Sequence, residues 1–208
     1  MSKIDFKKTL DCYRARRETF RVVEVPPLQY LMIDGRGDPD TAQEYTDAIE
    51  TVYPVAYALK FASKNTLGRD YVVMPLEGLW WAPDMTYFTT RRDKSRWQWT
   101  SMIMVPEWID QKMFDRAVAV VTAKRRPASI DKIRLGTLRE GTCVQTLHVG
   151  PYDDEAEVLA NMHHRFIPDN GLCMTGKHHE IYLGDARRVE PSKLRTILRQ
   201  PVMSAGRG

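Results

Sequence analysis

Two glutamates stand where an acidic side chain needs a reason. Glu77 lies inside Pro75-Leu76-Glu77-Gly78-Leu79-Trp80-Trp81, and Glu180 lies inside His178-His179-Glu180-Ile181-Tyr182-Leu183. An ionised carboxylate in an apolar or aromatic strand is costly unless it is paired, hydrogen-bonded or facing a wet cavity. Alternation along a strand puts His178, Glu180 and Tyr182 on one face and His179, Ile181 and Leu183 on the other. Side chains two residues apart are roughly 6.5–7 Å apart, so a carboxylate and a phenol at that spacing address opposite ends of one small molecule. Glu77, Leu79 and Trp81 share a face in the same way. The chemistry within reach is general-base activation of a water, with a phenol hydrogen-bonding a developing negative charge. Counter-charge for a cationic ligand is the second option. The plainer readings are a solvated edge glutamate or an arginine partner, and tryptophans that only fill a core.

Other chemistry finds little support. His148, His163, His164 and His179 form no HExxH or other spaced zinc pattern, so no metal is expected. GxGxxG, P-loop and GxSxG segments do not occur; neither a nucleotide cofactor nor a serine hydrolase is expected, and no cofactor is assigned. The three cysteines, Cys12, Cys143 and Cys173, are widely spaced and fit a reducing compartment rather than a disulfide framework. Thirty-one Lys and Arg against 27 Asp and Glu give a net charge of +4, a surface balance and not the footprint of a nucleic-acid binder. The first residues carry charge without an apolar run, and no apolar stretch reaches the roughly 18 residues a membrane helix needs. A cytoplasmic protein with no membrane and no direct nucleic-acid partner is the expectation.

The elements that must hold these residues follow from periodicity and turn signals. Residues 1–25 are basic and read as an arm packed on the domain. A strand over Leu28–Ile33 ends in Asp34-Gly35-Arg36-Gly37. A helix follows, started by a capping box of Thr41 and Glu44, with Tyr45, Ile49, Val52, Ala56 and Leu59 at helical spacing and Pro54 expected to bend or interrupt it. Asp70–Trp81 reads as a strand broken near Pro75 and Gly78, followed by strands at 87–90 and at Trp97–Val105. In the last, Trp97, Trp99, Ser101, Ile103 and Val105 share a face. A linking helix spans about 107–124, and its basic end, Lys124-Arg125-Arg126, complements the helix dipole. The plan then restarts at Arg134, with a strand over Thr142–His148, a helix capped by Asp153, a strand at His178–Leu183 and a short helix within Pro191–Leu198. The fold class expected is α+β, with two pseudo-symmetric β-α-β-β units (about 26–105 and 134–185) combining antiparallel sheets around a central ligand groove. In that arrangement Glu77 and Glu180 occupy equivalent places.

The segments Asp70–Trp81 (DYVVMPLEGLWW), His148–Glu155 (HVGPYDDE) and above all His178–Val202 (HHEIYLGDARRVEPSKLRTILRQPV) resemble the stand-alone GyrI-like proteins, from about Asp5 to Val202. The resemblance implies the GyrI-type fold and a groove for flat, apolar or cationic aromatic small molecules. In some stand-alone members it also implies hydrolysis of cyclopropane rings in DNA-alkylating compounds, a protective activity. Carried over residue by residue, Glu180, Tyr182 and Glu77 become the catalytic candidates. Trp80 and Trp81 match the family's segment as ligand contacts, and Trp97, Trp99, Tyr152, His148 and His178 are further candidates for that role. The resemblance leaves three functions open: a hydrolase, a sequestering or sensing protein that only binds, and an interaction protein that inhibits gyrase. The oligomeric state also stays open, a homodimer included.

Overall fold

The computed structural model describes residues 3–84, 87, 91, 93–185 and 187–206. In chain order the first elements are α1 (Phe6–Thr9), β1 (Arg21–Val25), β2 (Leu28–Arg36), α2 (Gln43–Leu67) and β3 (Leu76–Trp81). Then come β4 (Gln98–Val105), α3 (Gln111–Lys124), β5 (Arg134–Leu138), β6 (Gly141–Val149) and α4 (Ala156–Asn161). The last are α5 (Ile167–Asp169), β7 (Leu172–Met174), β8 (His178–Tyr182) and β9 (Arg195–Ser204). The protein is α+β, and the strand pairs within each unit are antiparallel. Two compact units divide the chain: Met1–Phe6 with Leu28–Leu138, and Lys7–Pro27 with Arg139–Gly208.

In the first unit the strands lie in the order β3-β4-β2-β5. Helix α2 packs on β2 and β4, and α3 packs on α2. The apolar stripe of α2 explains its place, because Ala48, Val52, Val55, Ala56 and Leu59 are all buried. Pro54 does not interrupt α2. Proline has no N–H to give the carbonyl four residues earlier, and Arg125 Nη2 donates to that carbonyl, Glu50 O, at 3.3 Å. The helix ends at Gly68, in the left-handed conformation at φ 65°. The Thr41–Glu44 capping box does not form: Ala42 occupies the cap position, and Glu44 instead accepts from Lys132 Nζ at 2.6 Å and Arg36 N at 3.3 Å. Helix α3 starts later than expected, at an Asp110 cap whose Oδ1 accepts from Met113 N at 2.7 Å. Of the strand expected at 87–90, residues 88–90 lie outside the described residues. Gly35 faces Trp99 across the β2–β4 ladder, and a Cβ on Gly35 would stand 2.1 Å from the indole ring. Only a glycine fits there.

The second unit orders its strands β8-β9-β6-β1, with β7 also on β9. This is the order of the first unit with β8, β9, β6 and β1 in place of β3, β4, β2 and β5. Glu77 and Glu180 sit on topologically equivalent strands but not in equivalent places: Trp80, on the face of β3 opposite Glu77, meets Tyr45 of α2, whereas Glu180 shares a face with its partner Leu198, which packs on Met162. A helical segment from Tyr152 to Asp169 follows β6 and includes a π-helical turn, Met162–Phe166. Its Met162 and Ile167 pack with Val144, Leu198 and Val202, backed by Phe20, Val158, Leu159 and Phe166. Asp153 is not its cap; Pro151 precedes the segment, and no side chain caps it. The helix expected within 191–198 is a single turn, Pro191–Lys193, leading into β9. Strand β9 lies between β6 and β8 and is buried on both faces from Thr196 to Val202, so it lacks the alternation of a half-buried strand. The last residues of the basic N-terminal stretch form β1 on β6.

Three neighbouring strands of this unit share one buried ion network. His179 on β8, Arg199 on β9 and Gln145 on β6 stand side by side in register. Arg199 donates Nε to Gln145 Oε1 at 3.1 Å, Nη1 to Glu140 Oε2 at 2.9 Å and Nη2 to the carbonyl of Cys12 at 2.5 Å. Glu140 Oε1 lies 2.9 Å from His179 Nδ1. Gln145 Nε2 donates to Arg14 O at 2.9 Å, so residues 12–14 are fastened by the same network. Burial would raise the Glu140 pKa, but His179 and Arg199 together hold it down at about 2.

Two outcomes follow for stability. Gly35→Ala should lower the melting temperature by an overpacking cost of about 1–3 kcal/mol; a melting curve identical to wild type would show that Trp99 moves freely. Glu140→Gln should cost about 3–5 kcal/mol, because Arg199 loses its countercharge in the interior. Since folding depresses the Glu140 pKa, its stabilisation is complete above the unfolded value of about 4.5 and disappears as pH falls towards 2. Urea melts of wild type and variant should therefore converge between those pH values.

Candidate functional site

The alternation of β8 brings three of the expected residues together on one half-buried face, with His179 and Ile181 buried on the other. Tyr182 Oη donates to Glu180 Oε2 at 2.7 Å. On the other side of the carboxylate, His178 Nε2 lies 3.3 Å from Glu180 Oε1. That contact is not a hydrogen bond, for neither ring nitrogen of His178 has a hydrogen-bond partner among the described residues. The side chains of His178 and Glu180 are 11% and 15% exposed. The carboxyl group is oriented by a neighbour and keeps a small exposed area. Tyr152 sets its ring edge-on to Tyr182, with centroids 5.4 Å apart. His148 shapes the turn that carries Tyr152: its Nε2 is 3.0 Å from Pro151 O, and Gly150 passes at φ 145° where a Cβ would press on the imidazole at 3.3 Å.

A residue that the sequence reading does not single out joins this group. Glu155, at the end of the turn after β6, is 4% exposed, and its Oε1 has no hydrogen-bond partner among the described residues. Burial pushes its pKa up to about 10; the charge on Glu180 pushes the same way, Thr196 opposes, and Asp153 adds to the rise. Thr196 Oγ is near enough to favour the ionised form, yet it too makes no hydrogen bond among the described residues. At neutral pH Glu155 is thus held in its protonated form. The π-helical turn carries His163 towards His178, with ring centroids 6.1 Å apart. Burial, and then His178 and His164, lower the His163 pKa to about 4, so this ring is neutral at pH 7. In sequence Glu155 is one of three acids in Asp153-Asp154-Glu155, and nothing in that run shows which one turns inward.

The tryptophans gather in the first unit. Trp80 packs on Trp97 and Tyr45, at 5.9 and 5.8 Å between centroids, and Tyr45 meets Trp99 edge-on at 5.0 Å. Trp99 is wholly buried, while Trp81 ends β3 half-buried. Trp97 precedes β4 and donates Nε1 to Tyr87 O at 3.1 Å. Glu77 is wholly buried on β3, opposite Met102. No group of three His, Cys, Asp or Glu residues suited to a metal occurs among the described residues. Nor, among them, is any helix long and apolar enough to cross a membrane.

Residues 99–203 match the model of the GyrI-like small molecule binding domain. No curated protein matches. Three solved structures from Listeria innocua each align with 97% of this chain and 100% of their own. An uncharacterized conserved protein is 38% identical at a TM-score of 0.88. Two described as hydrolases are 36% and 35% identical, at TM-scores of 0.84 and 0.86. With that identity across nearly its whole length, this chain belongs to the family of the GyrI-like small molecule binding domain.

Proposed function

We propose that this protein hydrolyses small electrophiles with strained rings, compounds bearing a cyclopropane being the class. The observation that carries the reading is the Tyr182–Glu180 pair, a carboxylate fixed by a 2.7 Å hydrogen bond on the half-buried face of β8. The two Listeria innocua relatives described as hydrolases support it. With Oε2 held by Tyr182, Glu180 takes the proton of an attacking water on Oε1. As the ring opens, the Tyr182 hydroxyl turns from Glu180 to the substrate oxygen that gains negative charge, and an aligned donor there lowers the barrier. Tyr152 and Tyr182 supply the apolar wall against which a flat substrate lies. Glu77, the sequence candidate in the first unit, keeps its proposed acid/base role as a separate assignment, tested by Glu77→Gln.

A second reading rests on the same residues. A carboxylate next to two phenol rings also suits a cationic aromatic ligand that is bound and never altered.

Incubation with a cyclopropane-bearing alkylator, followed by mass spectrometry, separates the two. Wild type should yield the water adduct well above the buffer blank. Glu180→Gln should lower the rate by about 10²–10⁴, the usual contribution of a general base, and Tyr182→Phe by about 10²–10³, the usual weight of one such donor. Both variants should keep the wild-type circular dichroism. Ligand binding without any adduct would favour the sequestering reading, and unchanged rates in both variants would remove the mechanism.

A further inference from the structure

Helix α2 carries a second stripe on the side turned away from its core. The core side is Val52, Val55, Ala56 and Leu59, all buried. Glu50, Tyr57, Phe61 and Lys64 lie opposite, within about 60° of one another around a helix of 3.6 residues per turn, and all four are exposed. Tyr57 is 50% exposed and Phe61 51%. The outer face of an amphipathic helix is ordinarily polar, so two large rings one turn apart leave apolar area that a partner would cover. Half-buried Tyr53 continues the stripe one turn before Tyr57. Helix α3 borders it. Trp108 Nε1 donates to Ser63 Oγ at 3.0 Å and Arg125 Nη2 to Glu50 O at 3.3 Å, so α3 runs antiparallel to α2. That direction brings exposed Val120 level with the middle of α2. Tyr and Phe are enriched at protein interfaces, and the Phe61 ring is already held, with Lys60 Nζ over it at 4.3 Å. A ring fixed beforehand loses little entropy on docking.

The charges on the stripe indicate what covers it. Glu50 stands seven residues before Tyr57 and Lys64 seven residues after it, while Tyr53 and Phe61 stand four residues to either side. The stripe therefore complements its own reverse, with an acid at one end, a base at the other and rings between. We propose that this stripe is a dimer interface, on which a second copy of the chain lays its own α2 antiparallel, about a two-fold axis at Tyr57. Across that axis Tyr57 meets its own counterpart, Phe61 meets Tyr53 and Lys64 meets Glu50. Such a contact is satisfied by two copies and closes there. Lys64 lies 3.7 Å from Asp70, but Asp70 has a nearer partner in Lys60 at 3.2 Å, and Lys64 stays 52% exposed. A uniformly acidic or basic partner would suit one end of the stripe and be repelled at the other. Glu50 to Lys64 spans about 21 Å of helix, which sets the interface near the small end of the specific range, about 1,200 Å², and the affinity in the micromolar range.

Sedimentation equilibrium of the whole chain, from low micromolar to submillimolar concentration, tests this. Wild type should pass from one chain to two. Phe61→Glu should stay monomeric with the circular dichroism of wild type. Glu50→Lys and Lys64→Glu each set like charges against one another, and each should raise the dimer Kd about tenfold or more. Mixed together, these two variants should associate again, because one copy then presents two bases and the other two acids. Wild type that stays monomeric throughout would leave the stripe to a different occupant and overturn the proposal. A dimer that Phe61→Glu fails to dissociate would also overturn it, as would a mixture of the charge variants no more associated than either alone.

Discussion

Two carboxyl groups placed together where water is scarce cannot both carry charge, and the second unit of this protein sets Glu155 and Glu180 in that position. Its other buried glutamate shows how far surroundings decide the outcome. Glu140 meets Arg199 and His179 and is held at about 2, whereas Glu155 meets Glu180 and Asp153 and is pushed up to about 10. The residue type and the depth of burial are alike. What differs is the sign of the neighbours, which overcomes the cost of desolvation in one case and adds to it in the other. One glutamate is locked into an ion network, and the other keeps a carboxyl oxygen without a hydrogen-bond partner among the described residues.

The sheet order makes that division possible. Strand β9 sends Arg199 into the ion network and Thr196 towards Glu155, while β8 sends His179 into the network and Glu180 to the opposite, half-buried face. Side chains one residue apart on a strand point to opposite faces, so a five-residue strand serves both tasks. The same strand order in the first unit carries a different set of residues. Its β3 presents Trp80 to a cluster of rings where β8 presents histidine and tyrosine. A repeated topology has been filled with aromatic packing in one unit and with titratable groups in the other.

Much of this was legible from residue pattern. The strands carrying Glu77 and Glu180, the long helix with Val52, Ala56 and Leu59, and the face shared by His178, Glu180 and Tyr182 all follow from period and alternation. What the pattern missed has physical causes. Strand β9 is covered on both faces, so it shows no alternation to set it apart from the short helix expected within Pro191–Leu198. Strand β1 is five residues at the end of a basic stretch, and partnership with β6 decides it, not its own composition. Glu44 matches a capping box but has a better partner in Lys132, which lies 88 positions away. The surroundings of Glu155, with Glu180 on β8 and Thr196 on β9, come from strands far along the chain, and no local motif encodes that.

The account is tested most directly by following the glutamate side-chain carboxyl carbons by NMR as pH is raised from 4 to 11, with Glu155→Gln and Glu180→Gln used to assign the signals. One resonance, absent from Glu155→Gln, should hold the protonated shift at pH 7 and titrate near 10. In Glu180→Gln it should move to lower pH as the neighbouring charge is removed. If every glutamate resonance in wild type completes its titration in the ordinary carboxylate range, Glu155 is not held protonated by burial beside Glu180, and the opposition between Glu155 and Glu140 does not exist.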